Sequence, residues 1–223
     1  MGWLCVEVNR LALTIYMVVV LLLVSATSIA LEISPSQLRQ TAQQKYGPQG
    51  VKNLEQWFST LSNLQGIPED QQLKEVNAFW NRIALAGEDI NIWGAEDYWA
   101  TPLETLGRAA ADCEDYVIGK YFSLIHLGVP ADKLRLIYVR ARVGGASIAH
   151  MVLGYYPSPN AEPLLLDNLT GIIRPASQRP DLTPVFSFNS KGVYVSGSAP
   201  GSVDRISRWR GLLDKMRSEG FKP

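Results

Sequence analysis

Cysteine and histidine are almost missing from this chain of 223 residues, which holds only two of each: Cys5 and Cys113, His126 and His150. Any chemistry built on a thiol or an imidazole must draw on those four positions. A surplus of positive charge is missing too, since Lys+Arg 21 is balanced by Asp+Glu 21. With no excess cations to displace counterions from phosphates, a general nucleic-acid binder is disfavoured. No internal repeat is visible. A composition of 47% hydrophobic and 19% charged residues excludes disorder, collagen and coiled coil. The length suits one globular domain better than two.

What is present is unevenly spread. Leu11 to Val24 is a run of fourteen residues broken only by Thr14, preceded by Arg10 and followed by Ser28-Ile29-Ala30. That is the layout of a secretory signal with a small-x-small cleavage site. Fourteen helical residues rise only about 21 Å, short of a hydrocarbon core of about 30 Å. Counting Ser25 to Leu31 lengthens the run to about twenty residues, and an uncleaved anchor then becomes an alternative. Residues 1–30 are therefore expected to be a signal peptide or an N-terminal anchor, and residues 31–223 a single domain. Export is therefore expected, with the domain either released or left anchored to a membrane by this segment. Cys5 precedes the apolar run, so it is not placed like a lipoprotein cysteine. The mature chain keeps Cys113 with no disulfide partner, either inert or reactive.

Between Leu38 and Ile90 the apolar residues follow helical spacing, with Leu54, Trp57, Phe58, Leu61 and Leu64 in one set and Leu73, Val76, Phe79, Trp80 and Ile83 in another. Thr101-Pro102 opens a short helix, and Cys113 to Leu127 reads as a further helix stopped by Gly128-Val129-Pro130. The period then changes to two. Leu134–Ala141, Ile148–Tyr156, Pro163–Leu169 and Val193–Val195 read as strands. Residues 204–219 close the chain as a helix, with Ile206, Trp209, Leu213 and Met216 on one side. Arg205, Arg208, Arg210, Lys215 and Arg217 form the other side, read as a solvated face. The expected fold is α+β: N-terminal helices, an antiparallel sheet and a C-terminal helix.

Cys113 follows Asp112 and starts a helix, where the macrodipole favours thiolate. A nucleophile of this kind needs a base. His126 lies thirteen residues along the same helix, about 220° round its axis and about 20 Å away, which leaves His150. Asp167 ends the apolar run Leu164-Leu165-Leu166 on the following strand. With a turn near Ser158-Pro159, residues 150 and 167 fall opposite or diagonal, and an even offset puts both side chains on one face. Cys113, His150 and Asp167 thus form a candidate nucleophile, base and orienting group. The Cys113 backbone N–H would help hold the oxyanion. No glutamine stands in the six positions before Cys113 to supply a papain-style second donor. Trp93 and Trp99 are candidates to line the substrate cleft.

Four ordered blocks carry a family resemblance: Tyr98-Trp99-Ala100-Thr101-Pro102-Leu103-Glu104, Ala111-Asp112-Cys113-Glu114-Asp115-Tyr116, Ala149-His150-Met151-Val152-Leu153 and Leu166-Asp167-Asn168-Leu169. Arg179-Pro180-Asp181-Leu182-Thr183-Pro184 and Phe186-Ser187-Phe188-Asn189 add to it. Together they resemble the bacterial transglutaminase-like cysteine proteinases, and within them the LapG-type periplasmic adhesin proteases. The likeness runs from about Leu73 to Val195. It departs from that pattern at Ala110-Ala111, where a Gly-rich approach to the Asp-Cys pair is expected. The resemblance implies a papain-like, transglutaminase-like core, a Cys113–His150–Asp167 triad and cleavage of a large surface (biofilm) adhesin. It also implies sequestration by the periplasmic domain of an inner-membrane cyclic-di-GMP receptor.

Asp112, Glu114 and Asp115 pose a physical problem, because carboxylates beside a thiol raise its pKa. In one reading Asp112 caps the helix and the other two complement its dipole. In the other they bind a hard cation such as Ca²⁺, which cancels their field at the sulfur. The residues alone leave both open; the resemblance implies calcium at these positions. A transglutaminase or amidase with the same triad is an alternative to a peptidase. So is a non-catalytic exported binding domain with an inert Cys113.

Overall fold

The computed structural model describes residues 31–195 and 199–223. The expected signal or anchor at residues 1–30, and Cys5 with it, lies outside the described residues. No helix among the described residues is long and apolar enough to cross a membrane.

The chain opens with strand β1 (Glu32–Ile33) and helix α1 (Pro35–Leu64). Gly47, at φ 66, breaks α1 into two helical pieces, and the following Pro48 could not have continued an unbroken ladder. Helix α2 (Glu69–Ile83) follows, then β2 (Leu85–Ala86), α3 (Asp89–Ile92), α4 (Pro102–Arg108) and β3 (Ala110–Ala111). The start of α4 is fixed by a capping box in which the Thr101 hydroxyl accepts the Glu104 N–H and the Glu104 carboxylate accepts the Thr101 N–H. Ala109 ends α4 in the left-handed region at φ 51, the one non-glycine residue there among the described residues. The two alanines after it form β3, parallel to β2, so short backbone pairing fixes the approach to Asp112 without glycines.

Helix α5 (Cys113–His126) is the axis of the domain. It is buried almost all round, as a helix enclosed on every side must be. The Ser123 hydroxyl accepts the indole N–H of Trp57 from α1 and of Trp80 from α2, each at 2.9 Å, and donates to the Gly119 carbonyl at 2.7 Å. A Cβ at Gly119 would stand 2.5 Å from the Trp80 ring. Glycine there is what lets α2 approach.

Strands β4 (Leu134–Val143), β5 (Ala146–Tyr155), β6 (Leu164–Leu166), β7 (Arg174–Pro175), β8 (Leu182–Asn189) and β9 (Gly192–Tyr194) form a six-stranded antiparallel sheet. Its order is β7-β6-β5-β4-β8-β9. Leu134, Leu136, Met151 and Leu153 face the main core, while Ile137, Val139, Val152 and Leu165 form a smaller apolar cluster, the alternation that period-two strands require. Helix α6 (Ser207–Glu219) packs Trp209, Leu212 and Met216 inward, and β10 (Phe221–Lys222) pairs with β1.

The α+β class and the helices-then-sheet order stand as expected. Three details differ. Strand β8 pairs with β4 across a bulge between Tyr138 and Val139, and Pro184 within it hid the strand from a period-two reading. The third strand shrinks to Leu164–Leu166. Lys215 is not part of a solvated face: its ammonium donates to the Trp99 carbonyl at 2.7 Å and to Glu104 at 2.9 Å. That places α6 against the α4 capping box.

Candidate active site

Cys113 is the first residue of α5, and Asp112 is its cap, with the carboxylate accepting the Asp115 N–H at 3.4 Å. Helix α5 packs on β5, the strand that carries His150. The Met151 N–H, one residue past His150, lies close enough to the sulfur to favour thiolate. On the following strand the register pairs Leu153 with Leu166 and Tyr155 with Leu164. Extended past the end of β6, that register sets Asp167 opposite Val152, diagonal to His150 on the same face. The contact is direct: His150 Nε2 and Asp167 Oδ1 are 2.7 Å apart, with both side chains buried. His150 Nδ1 makes no hydrogen bond among the described residues, so the ring keeps one nitrogen for a proton exchange partner. Burial alone would raise the Asp167 carboxyl. The His150 contact, the Leu169 N–H and Arg179 outweigh it and bring it down to about 2.

His126 is remote, as helical arithmetic requires. Its Nδ1 meets the Leu31 carbonyl at 2.9 Å at the far end of α5. His126→Gln is therefore expected to leave kcat and KM unchanged within about twofold. Steady-state kinetics of that variant beside His150→Ala check this, and a matching loss in both would contradict the placement.

The acidic residues crowd together, with three of them in the tightest group and Asp115 beside it. Oxygen atoms of Asp112, Glu114 and Asp89 lie within 4.8 Å of one another. Asp89, from α3, had no local signal near the Asp-Cys-Glu-Asp run to mark it. Asp115 is fully buried; its Oδ1 accepts the Ala100 N–H at 2.7 Å, and its Oδ2 has no partner. Asp89 accepts the Tyr98 N–H through Oδ2 and leaves Oδ1 without a partner. Burial and mutual repulsion push Asp112 up to about 10, and burial also raises Glu114, Asp115 and Asp89. The thiol donates to Glu114 Oε2 at 3.1 Å. Burial first, then the Glu114 and Asp112 charges, raise its pKa. Four crowded carboxyls with two orphaned buried oxygens suit a hard cation bound by oxygen.

The two tryptophans part company. Trp99 is 4% exposed and stacks on Phe188 at 5.8 Å, so it is core rather than cleft lining. The reason is nonlocal, since Phe188 arrives from β8. Trp93 is half-buried, stacked on Tyr98 at 4.6 Å with the Arg108 guanidinium 5.3 Å over its ring. Arg179 went unmarked as a site residue. It lies 2.8 Å from Asp167 Oδ2, and only its place in the Arg-Pro-Asp block could have drawn attention to it.

A thiol at the start of a buried helix, packed on a strand whose histidine is held by a carboxylate, defines the class of transglutaminase-like cysteine hydrolases. The family model described as bacterial transglutaminase-like cysteine proteinase, BTLCP, matches residues 61–180, and the chain belongs to that family. It is a cysteine peptidase. EGTA-treated LapG of Legionella pneumophila is similar to it at 37% identity and a TM-score of 0.74, covering 84% of this chain and 100% of that one. Calcium-bound LapG of the same organism is similar at 38% identity and a TM-score of 0.71, covering 82% and 99%. No curated protein matches.

Proposed function

We propose that this peptidase is exported and calcium-dependent, and that it cleaves a large cell-surface adhesin through Cys113, His150 and Asp167. The observation that carries the triad is the 2.7 Å contact between His150 Nε2 and Asp167 Oδ1 on the strand packed against the Cys113 helix. Cys113 attacks the peptide carbonyl as thiolate. His150 holds the proton and returns it to the leaving amine, and Asp167 fixes the imidazole tautomer and stabilises the imidazolium. The Cys113 N–H, at the positive end of α5, faces the developing oxyanion. Asp112, Glu114, Asp89 and Asp115 would hold Ca²⁺, which when bound supplies positive charge against the carboxylates that raise the thiol. Support for calcium comes from the cluster and from the relative solved in a calcium-bound form.

The adhesin substrate and periplasmic location rest on the resemblance of the sequence blocks to LapG-type proteases, as does restraint by a cyclic-di-GMP receptor. Incubation with a candidate adhesin fragment is expected to give discrete cleavage products. Adding the receptor's periplasmic domain is expected to suppress them. Cross-linked products in place of fragments would replace peptidase action with acyl transfer, and an inhibitor-insensitive rate would remove the receptor.

A further inference from the structure

Asp167 is buried at 1% exposure, and its two oxygens are divided between different partners. Oδ1 meets His150 Nε2 at 2.7 Å and accepts the Leu169 N–H at 3.1 Å. Oδ2 faces Arg179 Nη2 at 2.8 Å. The same Nη2 reaches Asp181 Oδ2 at 2.7 Å, and Nε reaches Asp181 Oδ1 at 3.0 Å. Arg179 is itself 7% exposed, so this guanidinium is held between two carboxylates and is not a surface charge.

The segment that presents it is pinned at several points. The Arg179 N–H donates to the Ala176 carbonyl and the Leu182 N–H to the Arg179 carbonyl, both at 3.0 Å. Arg142, on the neighbouring strand β4, donates its backbone N–H to the Asp181 carbonyl and its Nη2 to the Pro180 carbonyl, both at 2.9 Å. One Nη2 serves both carboxylates: it is hydrogen-bonded to Asp181 and meets Asp167 Oδ2 as an ion pair rather than an aligned hydrogen bond. A guanidinium fixed on Asp181 through Nε and Nη2 holds its positive charge at a set place beside Oδ2, which a flexible ammonium does less well. Asn81 from α2 holds the Asp167 carbonyl at 2.8 Å, and Lys120 of α5 is the other buried cation near this carboxylate.

We propose that Arg179 is a positioning residue of the triad: clamped by Asp181, it holds Oδ2 of Asp167 and so keeps Oδ1 aimed at Nε2 of His150. The proton then resides on Nε2, and Nδ1, which makes no hydrogen bond among the described residues, is the nitrogen left to exchange a proton. This rests on the triad reading given above and adds a residue to it.

The chain's two histidines make a direct test possible. In protein labelled with ¹⁵N-histidine, the nitrogen shifts report the tautomer of each ring, and His126 serves as an internal control. Arg179→Gln is expected to turn the single Nε2–H tautomer of His150 into a mixture while His126 is unchanged. With an adhesin fragment as substrate, kcat is expected to fall about tenfold or more with KM within about twofold. Arg179→Lys is expected to recover part of kcat. Asp181→Asn, at a half-exposed carboxylate, is expected to move both readouts the same way by less, and decides the matter if Arg179→Gln does not fold. Unchanged tautomer and kcat in the folded variants, with Cys113→Ala inactive, would overturn the role of Arg179 alone. An active Cys113→Ala would instead overturn the triad on which it rests.

Discussion

Cys113→Ala is expected to lower the rate of peptide cleavage by about 10⁴-fold or more, because it deletes the covalent route to the acyl-enzyme. The thermal midpoint is expected to stay within a few degrees. The thiol packs against the core, and its only polar contacts among the described residues are to Glu114 and the Met151 N–H, neither of which is lost at large cost when a methyl group takes its place. His150→Ala is expected to be nearly as severe, since without it neither thiolate formation nor amine protonation has a proton carrier. Asp167→Asn is expected to cost about 10²-fold. It keeps an acceptor near Nε2 but loses the charge that stabilises the imidazolium, and it leaves Arg179 facing a neutral amide. Single-turnover cleavage of an adhesin fragment, with circular dichroism as the folding control, measures all three. A Cys113→Ala protein that turns over at the wild-type rate ends the proposal.

Chelation is the second large effect. If calcium occupies the Asp89–Asp112–Glu114 cluster, EGTA is expected to remove activity and lower the thermal midpoint together. A ligand at a hundredfold excess over its Kd adds about 2.7 kcal/mol to the native state. In a domain of this size that corresponds to a midpoint shift of roughly 5–10 °C. Labelling of Cys113 by an uncharged alkylating agent is expected to slow on chelation, because the Glu114 and Asp112 charges beside the sulfur then go uncompensated. Asp112→Ala combined with Glu114→Ala separates the cation from the helix cap. As cation ligands their loss abolishes both activity and sensitivity to chelator. As cap and dipole partners alone, the loss is about 0.5–2 kcal/mol of stability in a protein that never responded to EGTA. A wild-type melting curve and rate that do not move in excess EGTA would leave the triad standing without calcium.

What the sequence determined by itself is what short-range periodicity encodes. An Asp before Cys113 and a Gly-Val-Pro after the helix set its ends, and the 3.6-residue turn was enough to exclude His126. Period-two alternation on either side of a Pro-rich turn put His150 and Asp167 on one face. The actual register is shifted by two residues from the symmetric expectation, and parity survives such a shift. Hence the His150–Asp167 contact was legible without coordinates.

The tertiary structure decided everything that depends on which distant segments meet. Asp89 joins Asp112 and Glu114 because β2, just before it, pairs with β3, just before Asp112. Asp115 turns its Oδ1 to the Ala100 N–H, and Trp99 sinks against Phe188, for the same nonlocal reason. Arg179 reaches Asp167 because strand β8 returns beside β4 and carries the Arg-Pro-Asp segment with it. Burial likewise is a property of the packed whole. It raises the crowded carboxyls near Cys113 and strengthens the ties that keep Asp167 ionised, and no pattern along the chain records how much water a side chain will lose.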